Sequence, residues 1–486
     1  MHFRSRTIPG AVVLAMAGTM FLQAPSYAAK SRISASTTKP IVNESFAISG
    51  KLSKSGKRAV TVQYLLGSTW TKLATTKSSK SGAFKLTTRI PKDVNRKYRA
   101  VSSVGTTPMK WIYPQAQSMR VSFAKAPIGQ SRSTKTQNLT SGTAAFTPAR
   151  NGRGVSVERK LSSGKWTKVA TGRQDKTGRF TFWGYVPSGA TYRATAAKAK
   201  GAAWAGSTPW IYKSFPLKLN ENFNGSRLNS RYWTYRQTGS RLAHTRKVSM
   251  SHPSATGVKG GTLQLRVHKA SSKHKNYNNY SKKEWKGKTL KYINGHVGTE
   301  NKFSFKYGFA AARVNFATNR GQHGSFWLQS ARAGGDEIDT VEFFGKGYPK
   351  RGLSHFIHTP SGSKTKKIGG LVDSHKWFAK GHTPYNSYHV YSVEWTPRKY
   401  VFRMDGHVVK TINRTTSKQE QFLVLSQLTS DWELEEVYRK GRSSLRKAFE
   451  KELKNGSTTS VDWVRVWVDP SGTYSDASKG IVKQKP

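Results

Sequence analysis

The amino-acid sequence predicts an all-β protein: two small antiparallel sandwiches in tandem, then one larger strand-rich unit. Three observations carry this. Short runs with period-two alternation recur along the chain, clusters of Gly, Ser, Asp and Lys separate them, and one stretch returns about a hundred residues later. The chain has 486 residues, enough for about two to four domains. Fourteen Trp and 20 Tyr supply large side chains for several cores and argue against general disorder. Cysteine is absent, which excludes disulfides, thiolate metal sites and cysteine nucleophiles.

The first element is a leader. Arg4 and Arg6 precede an apolar run from Gly10 to Leu22, and Ser26-Tyr27-Ala28 forms a small-x-small cleavage pattern. The run is short for a bilayer span, so residues 1–28 read as a signal peptide. The expectation is a secreted, extracellular protein without a membrane attachment after cleavage.

The repeat follows. Trp70-Thr71-Lys72-Leu73-Ala74 returns as Trp166-Thr167-Lys168-Val169-Ala170, and Trp111-Ile112-Tyr113 as Trp210-Ile211-Tyr212. Alternating runs such as Val60–Leu65 and Val155–Arg159 have the spacing of small antiparallel sandwiches. Residues 29–116 and 117–214 are therefore expected to be two Ig-like β-sandwich modules. Residues 215–470 read as one unit, with alternating segments at Phe303–Phe309, Val390–Trp395, Tyr400–Met404 and Val461–Val468. Leu445, Ala448 and Phe449 have helical spacing in a charged surface insertion, and residues 471–486 are expected to be a flexible tail.

Charge narrows the partners. Eighty-three Lys and Arg against 24 Asp and Glu give a net charge of +59, a field that attracts polyanions. The cations are dispersed, no nucleic-acid motif accompanies them, and export removes the usual partner, so nucleic acid is not expected. Anionic cell-envelope or extracellular polymers fit better, held through the basic N-terminal modules. These modules would act as tethers, and removing residues 29–214 would spare the function of the remaining unit.

In this basic chain, Asp336-Glu337-Ile338-Asp339-Thr340-Val341-Glu342 holds four acids in seven positions. In a strand, Glu337 and Asp339 share a face and Ile338 points into the other layer. Glu342, five positions after Glu337, would face the wrong way unless one extra residue bulges at Thr340-Val341. With that bulge, three carboxylates line one surface and at least one pKa must rise. Paired carboxylates of this kind suit acid–base chemistry on a glycosidic bond. The flanking Phe326, Trp327, Phe343 and Phe344 place the strand in an aromatic groove.

Glu337-Ile338-Asp339-Thr340-Val341-Glu342 resembles the longer, bulge-containing signature of glycoside hydrolase family 16, the β-glucanase and laminarinase family. Tyr307-Gly308-Phe309-Ala310-Ala311-Ala312-Arg313-Val314, Phe326-Trp327-Leu328, Tyr391-Ser392-Val393-Glu394-Trp395-Thr396-Pro397, Phe402-Arg403-Met404-Asp405-Gly406 and Val461-Asp462-Trp463-Val464-Arg465-Val466 extend the resemblance over roughly residues 218–469. It implies a concanavalin-like β-jelly-roll whose concave face is an open cleft. It also implies a retaining endo-hydrolase acting by double displacement, with Glu337 as nucleophile, Glu342 as acid and then base, and Asp339 tuning both. The expected substrate is a polysaccharide with β-1,3- or mixed β-1,3/1,4-glucan linkages. Acidic galactans of carrageenan or agar type are the alternative substrate, and a non-catalytic carbohydrate-binding protein the alternative function. Substrate-binding candidates are Trp327, Phe344 and Trp432 as stacking platforms, His358 with His355 as its rival, and Arg313. No cofactor is expected in the chemistry; Glu221 and Asp462 are candidates for a structural calcium. Two departures from the family stand out: His323-Gly324-Ser325 replaces Trp-Pro-Ala, and Asp336 replaces the Gly that often precedes the nucleophile.

Overall fold

The computed structural model describes residues 30–91, 94–130, 138–202, 204–236, 246, 249–274, 291–318, 320–331, 335–373, 377–378, 380–430, 443–454 and 458–484. The leader and Trp432 lie outside the described residues. The chain divides into two compact units, one of residues 1–117 with 198–203, the other of 118–197 with 204–486.

In the first unit, the strands Arg32–Ala35, Phe46–Lys51 and Ala83–Thr88 form one sheet. Thr69–Lys77, Ala59–Leu66, Arg96–Ser102 and Gly105–Thr106 form the other, with Lys110–Ile112 also on Arg96–Ser102. Alternation sends Phe46, Ile48, Val60, Val62, Tyr98 and Ala100 between the two layers. Residues 118–211 repeat this plan strand for strand in the second unit, around Ala144, Phe146, Val157, Phe182 and Ala194.

The larger part of the second unit is a two-layer jelly-roll. In one layer Gln421–Thr429 is flanked by Tyr292–Gly298 and by Gln322–Ser330, and the order continues through Glu337–Phe343, Leu353–Ser361 and Lys364–Val372. In the other, Phe303–Asn315 lies between Thr458–Asp476 and His389–Thr396, followed by Lys399–Met404 and His407–Asn413. Phe326, Leu328, Ile338, Val341, Leu423 and Leu425 from the first layer share one buried core with Ala310, Ala312, Tyr391, Val393, Trp395 and Val464 from the second. Each strand alternates, so the residues between these face outward, the first layer's into the cleft.

Two expectations are corrected. Residues 471–476 continue the strand Thr458–Asp476, and Ile481–Gln484 pairs back onto it. Tyr474 is buried in the main core, and Thr473 and Ser475 donate to Glu420 at 2.8 and 2.9 Å. A polar strand without apolar periodicity is thus ordered by partners far away in sequence. The helix Ser443–Lys454 forms as its spacing predicts, but Phe449 is buried, its ring 5.1 Å from that of Tyr292.

The strands of residues 118–211 do not end at a free linker. Ala126 and Ile128 pack on Phe309, Ala311, Val390, Trp463 and Trp467, the outer face of the second layer, with Phe215 alongside. Gln130 donates to the Tyr388 carbonyl at 2.8 Å and accepts from Arg313 Nε at 2.9 Å. The Trp183 ring lies 3.9 Å from that of His407, where Gly406 leaves no side chain in the way: a Cβ there would come 2.7 Å from the indole nitrogen.

Candidate active site

The strand Glu337–Phe343 carries the one-residue slip that its spacing requires. Asp339 pairs with Phe356 but Glu342 with Ser354, three steps against two; on the other side Ile338 pairs with Leu328 and Val341 with Phe326, again three against two. Thr340 is the extra residue. Ile338 and Val341 therefore both enter the core while Glu337, Asp339 and Glu342 line a cavity of about 210 Å³ with Trp327 and His323. His355 pins the bulge from behind: it is buried, and its Nδ1 meets the Thr340 carbonyl at 2.5 Å. Burial pushes the His355 pKa down to about 4, so the ring is neutral at pH 7 and Nδ1–H is the donor. Of the rival histidines, His358 is the one in the cleft, its Nε2 3.0 Å from Asp339 Oδ2.

Glu342 is held on two sides. Ser354 Oγ donates to its Oε2 at 2.8 Å, and His323 Nε2 stands 3.0 Å from its Oε1. Arg246 Nη2 lies 2.9 Å from His323 Nδ1; a guanidinium only donates, so Nδ1 accepts and Nε2 carries the proton given to Glu342. The His323 ring is stacked on Phe344 at 4.8 Å. His323, Ser325 and Trp327 alternate on one strand, and Ser325 pairs with Glu342. Period-two reading from Trp327 could have placed His323 beside the acids, but Arg246 sits in a segment with no periodicity and gave no such signal.

These contacts set the protonation. Burial raises the Glu337 carboxyl, with Glu342 adding to the effect and His358 opposing it. Asp339 is driven well above its ordinary value by burial and then by the charges of Glu342 and Glu337. Burial would raise Glu342 too, but hydrogen bonding and charge from His323, with Ser354, outweigh it and hold it at about 2. The free site therefore keeps its proton on the Asp339 side and Glu342 ionised. His323→Phe keeps a ring against Phe344 but deletes the donor; the Glu342 pKa rises from about 2, and because Glu342 is the lowest-titrating carboxyl of the free site, the acid limb of the kcat/KM–pH profile moves to higher pH. An unmoved limb would separate Glu342 from that limb.

The remaining candidates fall in different places. Trp327 lines the cleft, and its Nε1 donates to Ser426 Oγ at 3.3 Å. Phe344 lines an adjoining cavity of about 510 Å³ but is buried behind His323 and Tyr348 rather than presented as an open platform. Arg313 is not in the cleft: it belongs to the second layer's outer face, where its Nη1 meets Asp462 Oδ2 at 2.6 Å. That guanidinium already engages one oxygen of Asp462. Glu221 accepts from Phe223 N at 2.8 Å and Asn229 Nδ2 at 3.0 Å, and among the described residues it is not grouped with Asp462 as a set of ligand atoms. Glu337, Asp339 and His358 bring donor atoms within 4.8 Å of one another, a spacing a divalent cation could bridge, but Arg236 and Arg246 act on the same carboxylates and oppose a cation. Asp336 turns away from the cleft and accepts from Tyr400 OH at 2.6 Å.

Residues 257–446 match the sequence profile of Glycosyl hydrolases family 16. The chain is similar to a glucan endo-1,3-beta-glucosidase A1 of Niallia circulans, 27% identical over 220 residues, 42% of this chain. It spans about 30% of that relative's length. Among solved structures it is similar to an endo-beta-1,3-glucanase from Pyrococcus furiosus (18% identity, TM-score 0.39, covering 52% of this chain and 94% of the other). It is also similar to porphyranase B from Zobellia galactanivorans (21%, TM-score 0.39, 51% and 90%). The acidic strand, its bulge and the named cleft residues other than Arg246 lie inside the matched segment, and residues 257–446 are a domain of glycosyl hydrolases family 16.

Proposed function

We propose that this protein is a secreted, endo-acting, retaining β-glycan hydrolase. The observation that carries the reading is the Thr340 bulge, which turns Glu337, Asp339 and Glu342 onto one wall of a single cleft. In the first step Glu337 attacks the anomeric carbon, the bond to the leaving oxygen breaks, and Glu342 supplies that oxygen with a proton. In the second, Glu342 takes a proton from water as the water oxygen displaces the Glu337 ester. Glu342 must therefore gain a proton when substrate enters. A sugar in the cleft strips water from Glu342, which raises its pKa, and Asp339 beside it holds the proton to be passed across. The cleft lies along an open sheet face, which suits cleavage within a chain.

The name of the Niallia relative favours a β-1,3-glucan, or a mixed β-1,3/1,4-glucan. A second reading rests on a specific feature: Arg246 and Lys367 both line the cavity that holds Glu337 and Glu342, and His323 stands where the resembling family carries a stacking Trp. Two cations beside the acids suit a glycan bearing sulfate or carboxylate groups. The experiment is a panel of laminarin, mixed-linkage glucan, carrageenan, agarose and porphyran, with product length and the anomer formed read by NMR. Internal cleavage with retained configuration on at least one polymer is the expected result. Inverted products, or no cleavage of any β-linked polymer, would refute the proposal, and the preferred polymer decides between the two substrate readings.

A further inference from the structure

The repeated tripeptide Trp-Ile-Tyr faces opposite ways in its two copies. In the first, Tyr98 opposes Lys110 and Lys97 opposes Trp111; in the second, Tyr192 opposes Trp210. The neighbouring strands establish that Tyr98 and Tyr192 correspond, because Gln63 pairs with Arg99 and Val62 with Ala100 where Glu158 pairs with Arg193 and Val157 with Ala194. The last strand has thus slipped by one residue between the copies, and a slip of one exchanges the faces of every side chain on it. In the second copy Ile211 is 58% exposed while Tyr212 is 3% exposed and packs on Phe123, as Trp210 does. In the first copy Ile112 is fully buried, and Trp111 and Tyr113 are 44% and 38% exposed.

The outward rings are stacked on each other, their centroids 5.8 Å apart and their planes 13° from parallel. Cations flank them. Lys97 Nζ lies 5.2 Å over Trp111, and Arg99 lies 4.0 Å over Trp70 on the same sheet face. Charge differs between the copies as well. Arg99 donates to the neutral Gln63 at 2.9 Å and keeps its charge, whereas Arg193 is paired with Glu158 at 2.7 Å, and Thr191 stands where Lys97 would be. Residues 30–117 hold 17 Lys and Arg against two acids, Glu44 and Asp93; Glu44 is buried and accepts from Ile41 N at 2.8 Å.

We propose that this face of the first repeat, built from Trp111, Tyr113, Lys97, Arg99 and Trp70, is a binding site for an acidic polysaccharide. Sugar C–H groups meet the exposed parts of the Trp111 and Tyr113 rings, whose faces carry negative quadrupole density, and carboxylate or sulfate groups meet Lys97 and Arg99. A net-positive surface with stacking rings also suits single-stranded nucleic acid; the polysaccharide is favoured because the same chain carries a glycan-cleaving family domain. The choice of a glycan thus rests on the family match, while binding at this face does not require the cleft to be catalytic.

The test is affinity electrophoresis of the full-length protein in gels containing alginate, dextran sulfate, laminarin or single-stranded DNA. Wild type is retarded by alginate or dextran sulfate, whichever acidic group the site prefers; any retardation by laminarin belongs to the cleft and is the same in wild type and in the Trp111/Tyr113 variant. Trp111→Ala/Tyr113→Ala weakens the retardation by the acidic polymer about tenfold, and Lys97→Gln weakens it while flattening its salt dependence. Lys51→Gln, on the other sheet, leaves it unchanged, as does Ile211→Ala in the second copy. All these positions except Lys97 and the aromatic pair serve as controls, and circular dichroism verifies folding. Equal retardation of the double variant and wild type, or an equal loss with Lys51→Gln, overturns the proposal by reducing the effect to diffuse charge. Stronger retardation by DNA that is lost in the double variant reassigns the face to nucleic acid and likewise overturns it.

Discussion

Glu337→Ala and Glu342→Ala each lower turnover of a polymeric β-glycan by on the order of 10³-fold or more, and they fail in different ways. Loss of Glu337 removes the group that bonds to the anomeric carbon, so substrates with good and poor leaving groups suffer alike. Loss of Glu342 removes the proton donor, so an aryl glycoside whose leaving group needs no proton retains its first step. Added azide distinguishes them further. It enters from the vacated nucleophile side in Glu337→Ala and gives the inverted glycosyl azide; in Glu342→Ala it attacks the glycosyl-enzyme and gives the retained one. The same product anomer from both variants would refute the division of roles. Stability is expected to separate them too. Glu337 is a buried carboxyl raised by burial and by Glu342, so Glu337→Gln leaves the melting temperature unchanged or raised. Glu342 accepts from His323 and Ser354, so Glu342→Gln weakens charge-assisted bonds and costs about 1–3 kcal/mol.

Deleting residues 29–214 abolishes soluble, active enzyme, whereas deleting residues 29–117 leaves an active one. The sequence suggests that both repeats are tethers; the second also covers an apolar face of the jelly-roll. Ala126 and Ile128 cover Phe309, Val390, Trp463 and Trp467, and each large apolar side chain returned to water costs about 1.5–3 kcal/mol. Four such groups approach the total stability of an ordinary domain, about 5–15 kcal/mol. Arg313 would also lose Gln130, which accepts from its Nε at 2.9 Å. Thermal unfolding and size-exclusion chromatography of the two truncations, with hydrolysis of a soluble substrate, check this. A monomeric, active protein beginning at residue 215 would show the buried face to be dispensable.

What lay within the sequence was whatever local spacing dictates. Strand alternation placed Glu337 with Asp339 and required the slip before Glu342, because a strand's side chains change face at every residue. The helical spacing around Phe449 and the self-similarity of the repeats were legible for the same reason. What lay outside it depends on which distant strand supplies the partner. His323 and Arg246, not the nearer histidines of the following strand, hold Glu342; Arg313 faces the wall opposite the cleft; and the tail is ordered by Glu420. The Trp-Ile-Tyr copies make the point most sharply, since identical tripeptides present opposite faces after a one-residue shift. Register is a property of two strands together, settled by hydrogen bonds and packing across the sheet, and a single strand's residues do not contain it.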